Sequence, residues 1–448
     1  MAQSRTRQRP AADLPTLLQH LPFDAGRLTS DGGLAWIAQA DATLGLCTAL
    51  AGQLREWRRG PVQHALVTLV RQRVFQISCG YEDQDDADTL RHDPLLKWVC
   101  GRRPESGAAL ASQPTLSRLE NSVNARTCYQ LAVALLGLYL QEREQLSQRQ
   151  TGGPPTHILL DLDGTDDPTH GDQEGSAYHG YYHQHMYHPL LIFDGATDHL
   201  LTAVLRPGTA HASRGVVPVL KRVVRALRAR WPAVTVELRA DSGFAVPTLY
   251  AWCEAEGIAY TIGLPTNARL EALAAPLLAE AEQQHAQTGE KVRLAGATSY
   301  AADSWPHVRR VVYKAEALTK GPNTRFVVTT RADAPLALYN WYVQRGTPEQ
   351  WIDDLKNGCF ADRLSCHRFW ANQFRLLLHA AVYWLLDTLR RWLCQAGVPR
   401  LQLGTLRLRV VKIGGWVRER VHGVAIHLAS SHPGEPLWRL LAAHLLSP

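Results

Sequence analysis

Two apolar stretches far apart in this chain alternate with period two, and each ends on an aspartate. The first, His157-Ile-Leu-Leu-Asp-Leu-Asp163, runs into a Gly164-Thr165 turn. The second, Val234-Thr-Val-Glu-Leu-Arg-Ala-Asp241, runs into Ser242-Gly243. Such alternation marks strands. In the first, Ile158, Leu160 and Leu162 share one face, while Leu159, Asp161 and Asp163 take the other. In the second, Val234, Val236, Leu238 and Ala240 face one way and Asp241 stands at the open end. A fold that buries these strands brings carboxylates to strand ends, and with the helical segments read elsewhere in the chain the fold class expected is α/β.

A third acid lies on a predicted helix. Residues 341–358 read Trp-Tyr-Val-Gln-Arg-Gly-Thr-Pro-Glu-Gln-Trp-Ile-Asp-Asp-Leu-Lys-Asn-Gly, with the spacing Tyr342-x2-Arg345-x3-Glu349-x6-Lys356. Thr347 reads as the N-cap, Pro348 as the first helical residue, Gln350 as the partner in a capping box and Gly358 as the stop. Glu349 and Lys356 then share a face, two turns or about 10 Å apart. Tyr342 and Arg345 fall in the turn before the helix. A carboxylate among two cations and a phenol suits a metal-bound phosphodiester: the acid holds the metal, and Tyr342, Arg345 and Lys356 hold phosphate oxygens. Asp163, Asp241 and Glu349 together offer hard oxygen ligands, which suit Mg²⁺. In a two-metal site one ion activates water and the other stabilises the leaving oxygen.

These blocks resemble insertion-sequence transposases of the DDE class, in the group with a Tyr-Arg-Glu-Lys signature around the third acid. The resemblance rests on Leu160-Asp-Leu-Asp-Gly-Thr-Asp-Asp-Pro-Thr-His-Gly-Asp-Gln173, on Tyr187–Asp194 and Leu205–His211, on Leu238-Arg-Ala-Asp-Ser-Gly-Phe244, and on the 342–356 signature. It spans nearly half of the chain. It implies a ribonuclease-H-like catalytic core with a β-rich insertion, cut-and-paste transposition, and two Mg²⁺ ions per site with Mn²⁺ able to substitute. It carries the three catalytic and metal-binding acids onto Asp163, Asp241 and Glu349. Asp161 shares a strand face with Asp163. Asp163 is preferred because the family's first acid is followed after one residue by Thr or Ser, here Thr165. The implied partners are the transposon's terminal inverted repeats and target DNA, bound by a dimer on paired ends.

Length and charge agree with that reading. A chain of 448 residues holds two or three domains. The regions expected are a helical DNA-binding region (1–150), a catalytic core (157–266 and 332–400), a helix plus β-rich insertion (267–331) and a C-terminal region (401–448). Lys and Arg exceed Asp and Glu by seven, which suits a polyanionic partner and equally an ordinary basic protein. The eight cysteines form no Cys-x-x-Cys pair and read as reduced structural thiols of a cytoplasmic protein. Cys359, Cys366 and His367 lack a second ligand pair for zinc. The N-terminus is basic and polar with no apolar core behind it, so no secretory signal is expected, and residues 1–12 read as unstructured. No segment reaches the roughly 18 apolar residues of a membrane span.

Several further segments carry expectations. Gly107–Glu120 resembles the second half of a helix-turn-helix, with Ser112 as cap and Arg118 free to reach DNA; a capped helix packed in a bundle is the plain alternative. The acidic run Tyr81–Asp88 reads as a solvated turn. Thr151–Thr156 reads as a linker. Tyr178–His188, rich in His and Tyr, reads as a hairpin beside the site. In the loop Leu205–Arg214, the residues Arg206, His211 and Arg214 are candidate phosphate contacts. Val216–Arg230 reads as a basic amphipathic helix, 267–288 as a helix, and 291–331 as three strands. Trp370–Cys394 reads as a long buried helix, Leu401–Gly414 as a strand pair and Leu437–Leu446 as a helix. Two other functions fit the same residues: a metal-dependent nuclease on this fold, and a non-catalytic DNA-binding descendant. The intact acids and signature weigh against the latter.

Overall fold

The computed structural model describes residues 24–446, so the expectations for residues 1–12 lie outside it. Its centre is an eight-stranded mixed sheet. The strands are β1 (His157–Gly164), β2 (Leu190–Asp194), β3 (Leu200–Val204), β4 (Thr235–Ala240), β5 (Ala259–Leu264), β6 (Val292–Tyr300), β7 (Arg309–Leu318) and β8 (Gly321–Thr329). The spatial order is β6-β7-β8-β5-β4-β1-β2-β3. β1 pairs antiparallel with β2 and parallel with β4, and β4 pairs parallel with β5. Parallel neighbours need crossovers, and two helices supply them: Val216–Arg230 leads into β4, and Pro247–Ala255 joins β4 to β5. β1 is buried from Ile158 to Asp163, so both faces of this strand are covered and its acids are held inside.

The expected strands of 291–331 are β6, β7 and β8. They form no separate layer, because β8 pairs antiparallel with β5 and continues the same sheet. The opposite edge, β3, is blunted by side chains. Gln373 accepts from Leu205 N at 2.7 Å and donates to the carbonyl of Ala203 at 3.2 Å, and Trp384 Nε1 donates to the carbonyl of Leu200 at 3.1 Å. A covered edge cannot recruit further strands.

Those side chains belong to the helix Phe369–Gln395, the spine of the molecule. It packs against β3 and against helices on both sides of it in sequence, including Leu34–Leu44, Leu66–Ser78, Gln113–Asn121 and Ala125–Thr151. One continuous apolar core runs through all of these elements. Buried ion pairs tie them further. Glu120 lies 2.7 Å from Arg73 and 3.7 Å from Arg375, with all three side chains buried. The described part of 1–150 is therefore built into the core.

Two local expectations fail. Leu401–Gly414 is not a strand pair: it holds a short helix, Leu403–Leu406, and a wide turn, Arg407–Val411. Leu403, Leu406 and Val410 recur at helical spacing, and packing that stripe inward outweighs the β-branched propensity. The hairpin comes later, as Gly415–Arg420 paired with Gly423–Leu428. Nor does Thr347 cap a helix. It is already helical (φ −67°, ψ −41°), and the turn before it, Gln344–Gly346, continues the chain from the helix Pro335–Val343 without a break. All eight cysteines are free. Among the described residues, no helix is long and apolar enough to cross a membrane.

Candidate active site

The parallel register of β1 and β4 sets the site. Leu162 lies opposite Ala240, so the next residues, Asp163 and Asp241, leave adjacent strands side by side. One step earlier, Asp161 lies opposite Arg239. That pair closes as a buried bidentate bridge, with Arg239 Nε 2.6 Å from Asp161 Oδ1 and Nη2 2.7 Å from Oδ2. Arg239 also donates to the carbonyl of Trp341 at 3.1 Å, and the guanidiniums of Arg239 and Arg331 lie 5.0 and 4.3 Å from the centre of the Trp341 ring. Asp161 is thus spent on anchoring the Pro335–Val343 helix to the sheet.

That anchoring aims the end of this helix and the turn after it at the strand ends; Tyr342 lies within the helix rather than in the turn expected for it, and Arg345 lies in the turn. Tyr342 Oη donates to the carbonyl of Ala240 at 3.1 Å, beside Asp241. A Cβ at Gly263 would come within 2.8 Å of this hydroxyl, so a glycine there leaves room for it. Burial pushes the Tyr342 phenol up to about 12, and it stays a neutral donor. Three residues on, Arg345 reaches all three acids. Its Nη2 lies 2.9 Å from Asp163 Oδ2 and 3.9 Å from Asp241 Oδ2, and its Nη1 lies 3.9 Å from Glu349 Oε1. Glu349 stands on the short helix Thr347–Asp353, whose Pro348, Trp351 and Ile352 face inward.

The three carboxylates differ in environment. The Asp163 side chain is 9% exposed, that of Asp241 37% and that of Glu349 68%. Burial pushes Asp163 up to about 6; Arg345 pulls it down and Asp241 adds to the rise. Asp163 is thus a carboxylate whose charge is disfavoured by its burial. Burial opposes the charge on Arg345, but Asp163 and Asp241 outweigh it and raise its pKa. Arg345 Nε is buried and has no partner among the described residues, which leaves one donor unspent.

Lys356 sits to one side. Its Nζ lies 2.8 Å from Asp166 Oδ1, and Gln184 Nε2 donates to Asp166 Oδ2 at 2.9 Å. Burial works against the Asp166 charge, but Lys356 holds its pKa below the usual range. Gln184 belongs to the hairpin Ala177–His179 and Gln184–Tyr187, which forms as expected beside the site. Asp166 was missed in sequence because the Asp-Asp pair after Gly-Thr looks like a solvated turn.

Of the remaining candidates, Arg206 is turned inward. Its guanidinium donates to the carbonyls of His188 at 2.7 Å, Ala212 at 2.5 Å, Arg214 at 3.2 Å and Pro189 at 3.4 Å. Burial pulls its pKa down to about 10. It braces the loop that carries His211 and Arg214, both of which are exposed. That loop meets the Asp241 turn, since a Cβ at Gly243 would come within 2.8 Å of Ala212. Arg118 is exposed on the helix Gln113–Asn121, while Leu116, Leu119 and Glu120 face the core. Ser112 is its N-cap residue, but its hydroxyl makes no cap bond to the backbone.

The sequence profile described as "Transposase DDE domain group 1" matches residues 19–447. The chain belongs to that family. No curated protein sequence matches this DDE-class transposase. Among solved structures, the cryo-EM structure of the piggyBac transposase synaptic complex with hairpin DNA covers 94% of this chain and 83% of its own, at 10% identity and a TM-score of 0.45. That likeness is too loose to transfer any residue role.

The donor set matches in kind the divalent ions that DDE domains use. Asp163, Asp241 and Glu349 offer only carboxylate oxygens, which suit Mg²⁺ or Mn²⁺. As placed, no three His, Cys, Asp or Glu side chains among the described residues lie close enough to hold an ion. The Arg345 guanidinium lies among the three acids, bonded to Asp163 and 3.9 Å from Asp241 and Glu349. The residues therefore fit a divalent metal in kind.

Proposed function

We propose that this chain is an insertion-sequence transposase that cuts transposon ends and joins them to target DNA, in a ribonuclease-H-like core formed by β1–β5. The observation that carries this is the convergence of Asp163, Asp241 and Glu349, from two strands and a distant helix, on one guanidinium. The three acids would hold two Mg²⁺ ions, or Mn²⁺ in their place. What such ions supply is Lewis-acid charge at the scissile phosphate.

The chain's own residues do the positioning. When Arg345 leaves the acids, its planar fork is free for two phosphate oxygens. Lys356, held by Asp166, adds a point charge beside it. Tyr342 fixes the β4 end that carries Asp241. His211 and Arg214 lie exposed beside that end for backbone phosphates, and Arg118 is exposed on the helix-turn-helix-like segment. Arg206 is assigned to bracing rather than to phosphate. The partners are double-stranded terminal repeats and target DNA, with two chains on paired ends.

Incubating the chain with Mg²⁺ and a duplex bearing a transposon end tests this. Cleavage at the end followed by joining to a second duplex is expected. Cleavage without any joined product would favour the nuclease reading.

A further inference from the structure

Resting on that reading, we infer that DNA is also gripped by a second surface, assembled from two segments more than 300 residues apart. The loop 101–106 and the hairpin Gly415–Arg420/Gly423–Leu428 enclose a groove of about 860 Å³. Arg102, Arg103 and Arg420 line it. Arg418 alternates with the buried Val417 and stands exposed, stacked on Trp416 at 4.8 Å. The hairpin turn thrusts Val421 into solvent at 92% exposure.

The charges in this groove are unevenly committed. The acids around it, Glu105 and Glu419, are both spent on the junction. Glu419 accepts from the amides of Glu105 and Ser106 at 3.2 Å each, from Ser106 Oγ at 3.0 Å, and from Arg103 Nη1 at 3.3 Å. Its own amide donates to Glu105 Oε1 at 2.9 Å. This reciprocal clamp locks the hairpin to the loop. Among the described residues Arg420 has no carboxylate partner, and Arg102 donates only to the carbonyl of Gln63. Three guanidiniums thus line an open groove with two internally satisfied carboxylates, and Arg418 stands exposed on the same hairpin outside it. An exposed arginine without a carboxylate partner, Arg420, beside a half-exposed one held by a single carbonyl, Arg102, on a rigid frame is chemistry suited to a duplex phosphate backbone. The C-terminal hairpin then belongs to the DNA-binding surface together with the N-terminal helical region.

Duplex binding by the full chain, measured across a salt series, tests this. Arg102→Ala/Arg420→Ala should weaken binding about ten- to a hundredfold and flatten the slope of log Kd against log salt by about two, one per lost phosphate contact. Arg102→Lys/Arg420→Lys should restore the slope. A wild-type slope in the alanine variant would overturn the groove as a DNA surface. Glu419→Gln separates charge from assembly. Removing a negative charge beside DNA should by itself tighten binding, so weaker binding can come only from loss of the clamp. Unchanged or tighter binding by that variant would overturn the composite surface. Wild-type protein that binds no duplex at any salt would overturn the transposase reading instead.

Discussion

Arg345 Nη2 lies 2.9 Å from Asp163 Oδ2, and the same guanidinium reaches toward Asp241 and Glu349. One cation thus bonds Asp163 and lies within 4 Å of two further acids that belong to different elements. Its removal should have two opposite effects. Arg345→Ala should tighten Mg²⁺ or Mn²⁺ binding in the absence of DNA, because the acids lose their resident counter-charge. It should also slow single-turnover cleavage about ten- to a hundredfold at saturating metal, as a lost charged phosphate contact of about 1.5–3 kcal/mol requires. Calorimetric titration with metal reads the first effect and quenched-flow cleavage the second. Unchanged metal affinity would show that Arg345 does not compete for the carboxylates.

Lys356 depends on Asp166. Asp166→Ala should lose the 2.8 Å contact, let the ammonium wander and slow cleavage about tenfold. Lys356→Ala should cost at least as much, and the double variant no more than Lys356→Ala alone. Additive losses in that cycle would mean that the two residues act independently.

The two neighbouring acids of β1 should separate by what they cost. Asp161→Ala leaves Arg239 buried without its bidentate partner and should destabilise the fold by about 3–5 kcal/mol. Asp163→Asn removes a buried charge and should leave the melting temperature unchanged or raised, while abolishing cleavage. Thermal melts beside cleavage assays check both. A stable, inactive Asp161→Ala would place Asp161 rather than Asp163 in the chemistry.

Glu120 joins the N-terminal helices to the spine helix through Arg73 and Arg375. Burial opposes its charge, but the two arginines hold its pKa below the usual carboxylate value. Its contribution to stability is therefore complete above the ordinary carboxylate pKa and is lost as pH falls through the lowered one. Glu120→Gln should flatten the acid limb of the stability curve. For the same reason an isolated 1–150 fragment, without Arg375, should fail to unfold cooperatively. A fragment with a sharp melt that binds end DNA would show that this region is independent after all.

The strands carrying Asp163 and Asp241 were legible because period-two alternation survives burial, and a strand-end acid stands out against it. The helix carrying Glu349 was legible from Pro348 and its spacing, but its start was not: Thr347 looks like a cap until tertiary packing continues the preceding turn into it. Cations were the least legible. Arg206, Arg214 and Arg239 are alike in sequence, and only the carbonyls and carboxylates that surround each one decide which is buried. The register that sets Asp161 opposite Arg239 depends on strands 78 positions apart. The 401–414 segment misled because its valines favour strand locally while its leucines pack as a helix.

The central claim is that Asp163, Asp241 and Glu349 form one metal-dependent site for DNA cleavage. The most direct measurement compares wild type with Asp163→Asn, Asp241→Asn and Glu349→Gln on a duplex bearing a transposon end, following binding and Mg²⁺-dependent strand cleavage in the same samples. Each variant should bind the duplex nearly as wild type does and cleave at least a thousandfold more slowly, a barrier increase of about 4 kcal/mol or more. Near-wild-type cleavage by any of the three would contradict the claim and remove that residue from the site.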